Sequence, residues 1–138
     1  NQTAIYKDFA HSPSKLKATT QALKKQFPDR TLVACMELHT FSSLNKEFIG
    51  QYKGALAAAD TKIVYFNPKT VAHKKLTALS IDDVKNAFEE DDLVVMNDSA
   101  ALQQLLIDKH WQNENLLLMS SGNFDNMDIK SLTATILQ

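Results

Sequence analysis

The chain has 138 residues, 44% of them hydrophobic, with 15 basic and 16 acidic side chains and a formal charge of −1. That is one globular domain with enough apolar content for a core, and its scattered Lys and Arg argue against a nucleic-acid surface. The longest apolar runs are too short to span a bilayer, no basic-then-apolar leader is visible, and the single cysteine, Cys35, forbids an internal disulfide and fits a reducing, cytoplasmic setting.

Thr3-Ala4-Ile5-Tyr6 has the β-branched and aromatic content of a short strand. Leu16, Thr20, Leu23 and Phe27 then recur at helical spacing, with Ser12 placed to cap that helix and Pro13 suited to its first turn. Asp8 and His11 are therefore expected in the turn between a strand end and a helix N-terminus. Ligand-contacting side chains of α/β proteins gather there, and phosphate is favoured by the unpaired first-turn N–H groups. Thr31 to Glu37 reads as a strand buried on both faces, as in parallel sheets, and Cys35 within it reads as core filling.

After the loop Leu38 to Ser43, the residues Leu44, Phe48, Tyr52 and Leu56 predict a second amphipathic helix ending near Ala59-Asp60. Lys62 to Phe66 is the next strand, closed by Asn67-Pro68, and Lys69 to Leu79 has the pattern of irregular chain. Ser80 can cap a short helix through Phe88, with Asp82 and Asp83 in its first turn and the acidic run Glu89 to Asp92 in the loop beyond. Leu93 to Met96 is a strand, Asn97-Asp98-Ser99 starts a helix carrying Leu102, Leu105 and Leu106, and Trp111 covers the core edge near its end. Leu116 to Met119 is the last strand. Ser121-Gly122-Asn123 turns the chain, and Ile129, Leu132 and Ile136 face the last helix inward.

The strand–loop–helix rhythm predicts a three-layer, Rossmann-like α/β domain: a mostly parallel sheet of about six strands with helices on both faces. Its post-strand loops then share one rim, bringing together Asp8 and His11, residues 39–43, Asn67, Asn97 and Asp98, and residues 120–123. No Gly-x-x-x-x-Gly-Lys-Ser/Thr or Gly-x-Gly-x-x-Gly loop is present, and His11, His39, His73 and His110 lack metal-site spacing. A hydrolase built from Ser120 or Ser121 with His11 and Asp8 is disfavoured by the missing Gly-x-Ser-x-Gly.

Asp8-Phe9-Ala10-His11-Ser12-Pro13 resembles the Asp-Tyr-Ala-His-x-Pro signature that opens the C-terminal domain of the Mur ligases, the ATP-dependent amide-forming enzymes of peptidoglycan synthesis. Leu118-Met119-Ser120-Ser121-Gly122-Asn123-Phe124 resembles the strand-to-glycine turn before the last helix of that domain. In element order the resemblance covers the whole chain. It implies that residues 1–138 are a single substrate-binding, ATP-closing domain of a longer enzyme. The phosphate loop and most Mg2+ ligands would lie on upstream N-terminal and central domains.

By the same resemblance Asp8 is expected to hydrogen-bond the ATP ribose and His11 to lie near the ribose and phosphates. No residue is implied as catalytic, and none as a metal ligand. Phe9, standing where many members carry tyrosine, falls among the expected substrate contacts. So do Glu37, His39, Thr40, Ser42 and Ser43 of the loop where the family recognises its incoming amine, with Ser121 and Asn123 of the second turn.

The alanine-adding members hold a free amino acid with arginines in that loop, and this loop has none. Its leading Glu37 and Ser/Thr-rich continuation look closer to the murein peptide ligases, which join UDP-N-acetylmuramate to L-alanyl-γ-D-glutamyl-meso-diaminopimelate. The implied reaction runs through an acyl phosphate of the UDP-sugar partner, attacked by the peptide amine. The alternatives are a UDP-N-acetylmuramate–L-alanine ligase domain, or a non-catalytic α/β binding module whose Asp8 and His11 are only helix-start residues.

Overall fold

In the computed structural model, which describes residues 2–138, five strands lie side by side in the order β1-β5-β2-β3-β4, all parallel. They are β1 (Ala4–Asp8), β2 (Thr31–Leu38), β3 (Thr61–Phe66), β4 (Val94–Met96) and β5 (Glu114–Met119). This is one fewer than the approximate count from the sequence pattern. The helices are α1 (Pro13–Gln26), α2 (Pro68–His73), α3 (Ile81–Phe88), α4 (Ser99–Asp108) and α5 (Ile129–Ile136). Among the described residues no helix is long and apolar enough to cross a membrane.

The central strands are buried on both faces because each face supplies a core. Leu32, Ala34, Met36 and Leu38 of β2 join Leu16 of α1 and Val84 and Phe88 of α3 on one side. Val33 and Cys35 pack with Leu102 and Leu106 of α4 and Leu132 and Ile136 of α5 on the other. The strand's period of two thus survives inside an unbroken apolar run, which is the signature of a sheet covered twice. Trp111 closes the second core, its indole N–H donating to the Leu106 carbonyl at 2.7 Å.

The stretch 44–59 departs from the helical expectation. It forms one 3₁₀ turn, Ile49–Tyr52, within a run of tight turns closed by three-residue hydrogen bonds such as Ala55 N–H to the Tyr52 carbonyl. Two observations account for this. Gly54 adopts φ +71°, a left-handed conformation that ends a right-handed helix, and its N–H donates to the Phe88 carbonyl instead of to its own segment. Leu44, Ile49, Tyr52 and Leu56 are buried all the same.

The irregular stretch expected from Lys69 contains most of α2, a helix too short to show periodicity. It starts where the Asn67 side chain accepts from the Lys69 N–H at 2.9 Å. Ser12 occupies the N-cap of α1 but its side chain bonds no first-turn amide, leaving Pro13 to set the start. The Ser80 cap forms as expected, as a full capping box with Asp83.

Candidate functional site

Parallel pairing throughout brings every post-strand turn to one rim. At the sheet edge β1 runs through Asp8, whose carbonyl accepts from the Ser120 N–H at 3.2 Å. The Asp8 carboxylate faces solvent and accepts the Ala10 N–H through Oδ1 at 2.7 Å, an Asx turn that redirects the chain towards α1. Ala10 is buried as the plug of that turn, while Phe9 stands 70% exposed.

His11 Nδ1 lies 2.9 Å from the Phe9 carbonyl oxygen. A carbonyl only accepts, so Nδ1 carries the proton and Nε2 is left for an outside partner. The imidazole also meets the Phe9 ring edge-on at 5.3 Å. Behind it, the buried Tyr52 hydroxyl donates to the His11 carbonyl at 2.5 Å. Tyr52 stacks on Phe88 at 5.3 Å, and burial pushes its phenol up to about 12.

The turn after β5 lies between the ends of β1 and β2, and Glu37 organises it from below. This carboxylate is 2% exposed, and its Oε1 accepts both the Ser120 hydroxyl at 2.6 Å and the Phe124 N–H at 2.9 Å. Ser120 Oγ in turn accepts the Gly122 N–H at 2.7 Å. The second oxygen, Oε2, faces His39 Nδ1 at 3.9 Å. The His39 ring packs so closely on Gly122 that a Cβ there would meet it at 2.8 Å.

Beyond Gly122 the chain makes a left-handed turn: Phe124, Asp125 and Asn126 have φ of 54°, 57° and 60°. Non-glycine residues rarely adopt this conformation, and three in succession need external support. Phe124 receives it from three elements. Glu37 of β2 holds its amide, Ser99 of α4 donates to its carbonyl at 2.7 Å, and Tyr65 of β3 stacks on its ring at 6.3 Å. The Asn123 and Asn126 side chains close the turn, with the Asn126 N–H donating to Asn123 Oδ1 at 3.0 Å. Asp8, Ser120, Gly122, Asn123, Asp128 and Lys130 border an open cavity of about 310 Å³ between this turn and the sheet edge.

No family model matches the chain. Among curated proteins it is similar to the UDP-N-acetylmuramate–L-alanine ligase of Lactococcus lactis subsp. cremoris, 34% identical over 85 residues. That match takes in 59% of this chain and 19% of the enzyme's length, so the chain spans only a fraction of its curated relatives. Among solved structures, the murein peptide ligase of Psychrobacter arcticus aligns over 99% of this chain and 28% of its own, with a TM-score of 0.74 at 19% identity. A domain assigned to a UDP-N-acetylmuramate:L-alanyl-γ-D-glutamyl-diaminopimelate ligase of Haemophilus ducreyi aligns over 97% of this chain and 92% of its own, with a TM-score of 0.60 at 23% identity. The fold is that of a Mur ligase C-terminal domain.

On this fold the residues singled out from sequence divide into two groups. Asp8 and Phe9 are exposed at the β1 corner with His11 half-buried beside them; His39, Ser42 and Asn123 are at least partly exposed around the neighbouring turns. Two expected substrate contacts lie beneath the surface instead. Glu37 is enclosed because its oxygen is engaged by the β5 turn. Ser43 is 1% exposed, its hydroxyl donating to the Thr40 carbonyl while its N–H donates to Thr40 Oγ1, so both residues are spent shaping their own loop. Ser121 Oγ is buried and has no hydrogen-bond partner among the described residues.

Ser120 bonds Glu37 and Gly122, and Ser121 Oγ is buried without a hydrogen-bond partner among the described residues, so neither serine is paired with an imidazole as a hydrolase would need. Sequence reasoning missed Tyr52, Ser99 and Phe124 as supports of the rim. The first two carry no local signal; the third stood inside a motif whose glycine drew the reading. Among the described residues no three His, Cys, Asp or Glu side chains converge as a metal site.

Proposed function

We propose that this chain is the closing domain of an ATP-dependent, amide-forming ligase of peptidoglycan synthesis or recycling, working in the cytoplasm on UDP-N-acetylmuramate. The observation that carries this reading is the adjacency of two turns on a Mur-type fold. One is the Asp8–His11 corner; the other is the Ser120–Phe124 turn, joined to it through the Ser120 N–H and Asp8 carbonyl.

The donor set at the corner suits the sugar end of a nucleotide. An exposed carboxylate can accept from vicinal hydroxyls, and with Nδ1 of the half-buried His11 bonded to the Phe9 carbonyl, its Nε2 can take a further bond. Among the described residues no group of three His, Cys, Asp or Glu side chains gathers to hold magnesium, and in this reading an upstream domain would hold it. When bound, ATP supplies the phosphoryl group that makes the UDP-sugar carboxylate an acyl phosphate.

This domain's part is positional. Its rim excludes water and holds the incoming amine within attack distance of the acyl carbon. The C–N bond forms, the amine releases a proton, and the C–O bond to phosphate breaks. In this reading His39, Ser42, Asn123 and Phe9 meet that amine-bearing substrate, with Glu37, Thr40 and Ser43 holding the loops that present them.

The chain's one arginine, Arg30, bonds the Gln2 carbonyl at 2.6 Å at the opposite end of the sheet. No guanidinium is therefore offered to the carboxylate of a free amino acid. That favours a peptide amine such as L-alanyl-γ-D-glutamyl-meso-diaminopimelate. The second reading, L-alanine, is supported by the 34% identity to the alanine ligase.

Full-length enzyme carrying this chain, given ATP, UDP-N-acetylmuramate and either amine, tests both. Amine-dependent phosphate release with the tripeptide and not L-alanine is expected; the reverse selects the second reading, and release with neither refutes the ligase assignment. Asp8→Ala is expected to raise KM for ATP at least tenfold, the loss of a charge-assisted bond being worth about 1.5–3 kcal/mol, with the domain still folded. Unchanged ATP kinetics would remove Asp8 from the nucleotide site.

A further inference from the structure

The Glu37 carboxylate does something that a ligand contact would not. Its Oε1 takes a donor from each end of one turn, the Ser120 hydroxyl at the start and the Phe124 amide at the finish, 83 and 87 positions away in sequence. Its other oxygen faces His39, and the His39 ring presses on Gly122 in the middle of that turn. One buried group therefore fixes both termini of the segment that displays Asn123, together with the side chain against which the segment rests.

The turn needs such a hold. Its exit runs through three left-handed non-glycine residues, which spring back towards ordinary backbone when unsupported. A free amide at Phe124 would also leave a buried donor without an acceptor.

We infer that Glu37 is a positioning residue: a clasp that ties the loop after β2 to the turn after β5 and so presets the face that receives the amine substrate. The link to amine binding rests on the ligase reading above; the clasp itself does not. Its chemistry requires an acceptor at Oε1 and no negative charge, so glutamine in the same place serves and alanine does not.

The test has two arms. In the first, amide hydrogen exchange of residues 120–127 is followed by NMR on this 138-residue chain as wild type, Glu37→Gln, Glu37→Ala and Ser120→Ala. Phe124 exchange is expected to rise at least about tenfold in Glu37→Ala relative to the core strands, and to stay within about threefold of wild type in Glu37→Gln. Ser120→Ala, which removes one of the two bonds, is expected to fall between them and serves alone if Glu37→Ala does not fold. Unchanged protection at Phe124 in a folded Glu37→Ala or Ser120→Ala chain overturns the clasp, as does a glutamine variant as open as the alanine one.

In the second arm, the same substitutions are made in the full-length enzyme. Glu37→Ala is expected to raise the amine KM about tenfold, with kcat and the ATP KM within about twofold, and Glu37→Gln to restore it. A lowered kcat with unchanged amine KM would mean a merely structural role and overturn the positioning claim. If wild type uses neither amine, the ligase reading fails and the exchange arm alone decides the clasp.

Discussion

Replacing Gly122 with alanine tests the contact that joins the loop after β2 to the turn after β5. A Cβ there would stand 2.8 Å from Cδ2, 2.9 Å from Cγ and 3.0 Å from Nε2 of His39. Ordinary carbon contacts begin near 3.5 Å, so the ring must retreat by roughly 0.5–1 Å. The His39 side chain is 41% exposed and can swing towards solvent, at about 0.5–1.5 kcal/mol for leaving its preferred rotamer. Gly122 does not occupy the left-handed region, so alanine also restricts the unfolded chain and returns about 0.4–1 kcal/mol. The expected net destabilisation is under about 1 kcal/mol, small beside the 1–3 kcal/mol of a clash inside a rigid core.

Urea unfolding followed by fluorescence of the buried Trp111 measures it, in a double-mutant cycle with His39→Ala. With His39 removed, Gly122→Ala should become neutral or slightly stabilising. A loss above about 2 kcal/mol that persists in the His39→Ala background would show that backbone, not the imidazole, fills the space, and would refute the argument.

Three further outcomes are expected. Tyr52→Phe deletes the hydroxyl that holds the His11 carbonyl, and should cost about 1–2 kcal/mol in urea unfolding while shifting the His11 ring resonances. Leu106→Ala opens a cavity in the fully buried α4 face and should cost about 2–5 kcal/mol by thermal unfolding. Burial opposes ionisation of Asp60, but the Leu32 amide and Lys24 outweigh it and hold the carboxyl below its ordinary value; Ser80 amide and hydroxyl bonds and Lys46 do the same for Asp83. Both contributions are complete above the unfolded carboxylate range and vanish as pH falls through the depressed folded values, so Asp60→Asn should flatten the stability loss below about pH 4.

What the sequence disclosed and what it hid follow a physical division. The run Leu32 to Met36 announced a doubly covered strand because burial on two faces leaves its mark on every residue. The Asp8–Pro13 corner was visible because its hydrogen bonds span two residues. The stretch 44–59 misled because apolar spacing records which side chains go inward, not which hydrogen bonds the backbone makes. There, a carbonyl on α3 captures the Gly54 amide from far along the chain. Glu37, expected among the substrate contacts from the resemblance of its loop, has hydrogen-bond partners more than eighty positions distant, which no local pattern records.

The strand order has a consequence for how the chain acquires its shape during synthesis. β1 is the first strand made, yet among the described residues its only hydrogen-bonded neighbour in the sheet is β5, the last strand made, more than a hundred residues later. Until residues 114–119 leave the ribosome, β1 lacks the strand it pairs with, although Ala10 and the Tyr52-bonded His11 carbonyl beyond it can already meet the core on β2. β2, β3 and β4 can already pair among themselves. The nascent polypeptide therefore leaves the facing margins of β1 and β2 unpaired for most of its elongation, and the Asp8–His11 corner gains its bond to Ser120 only when the final insertion unites the halves.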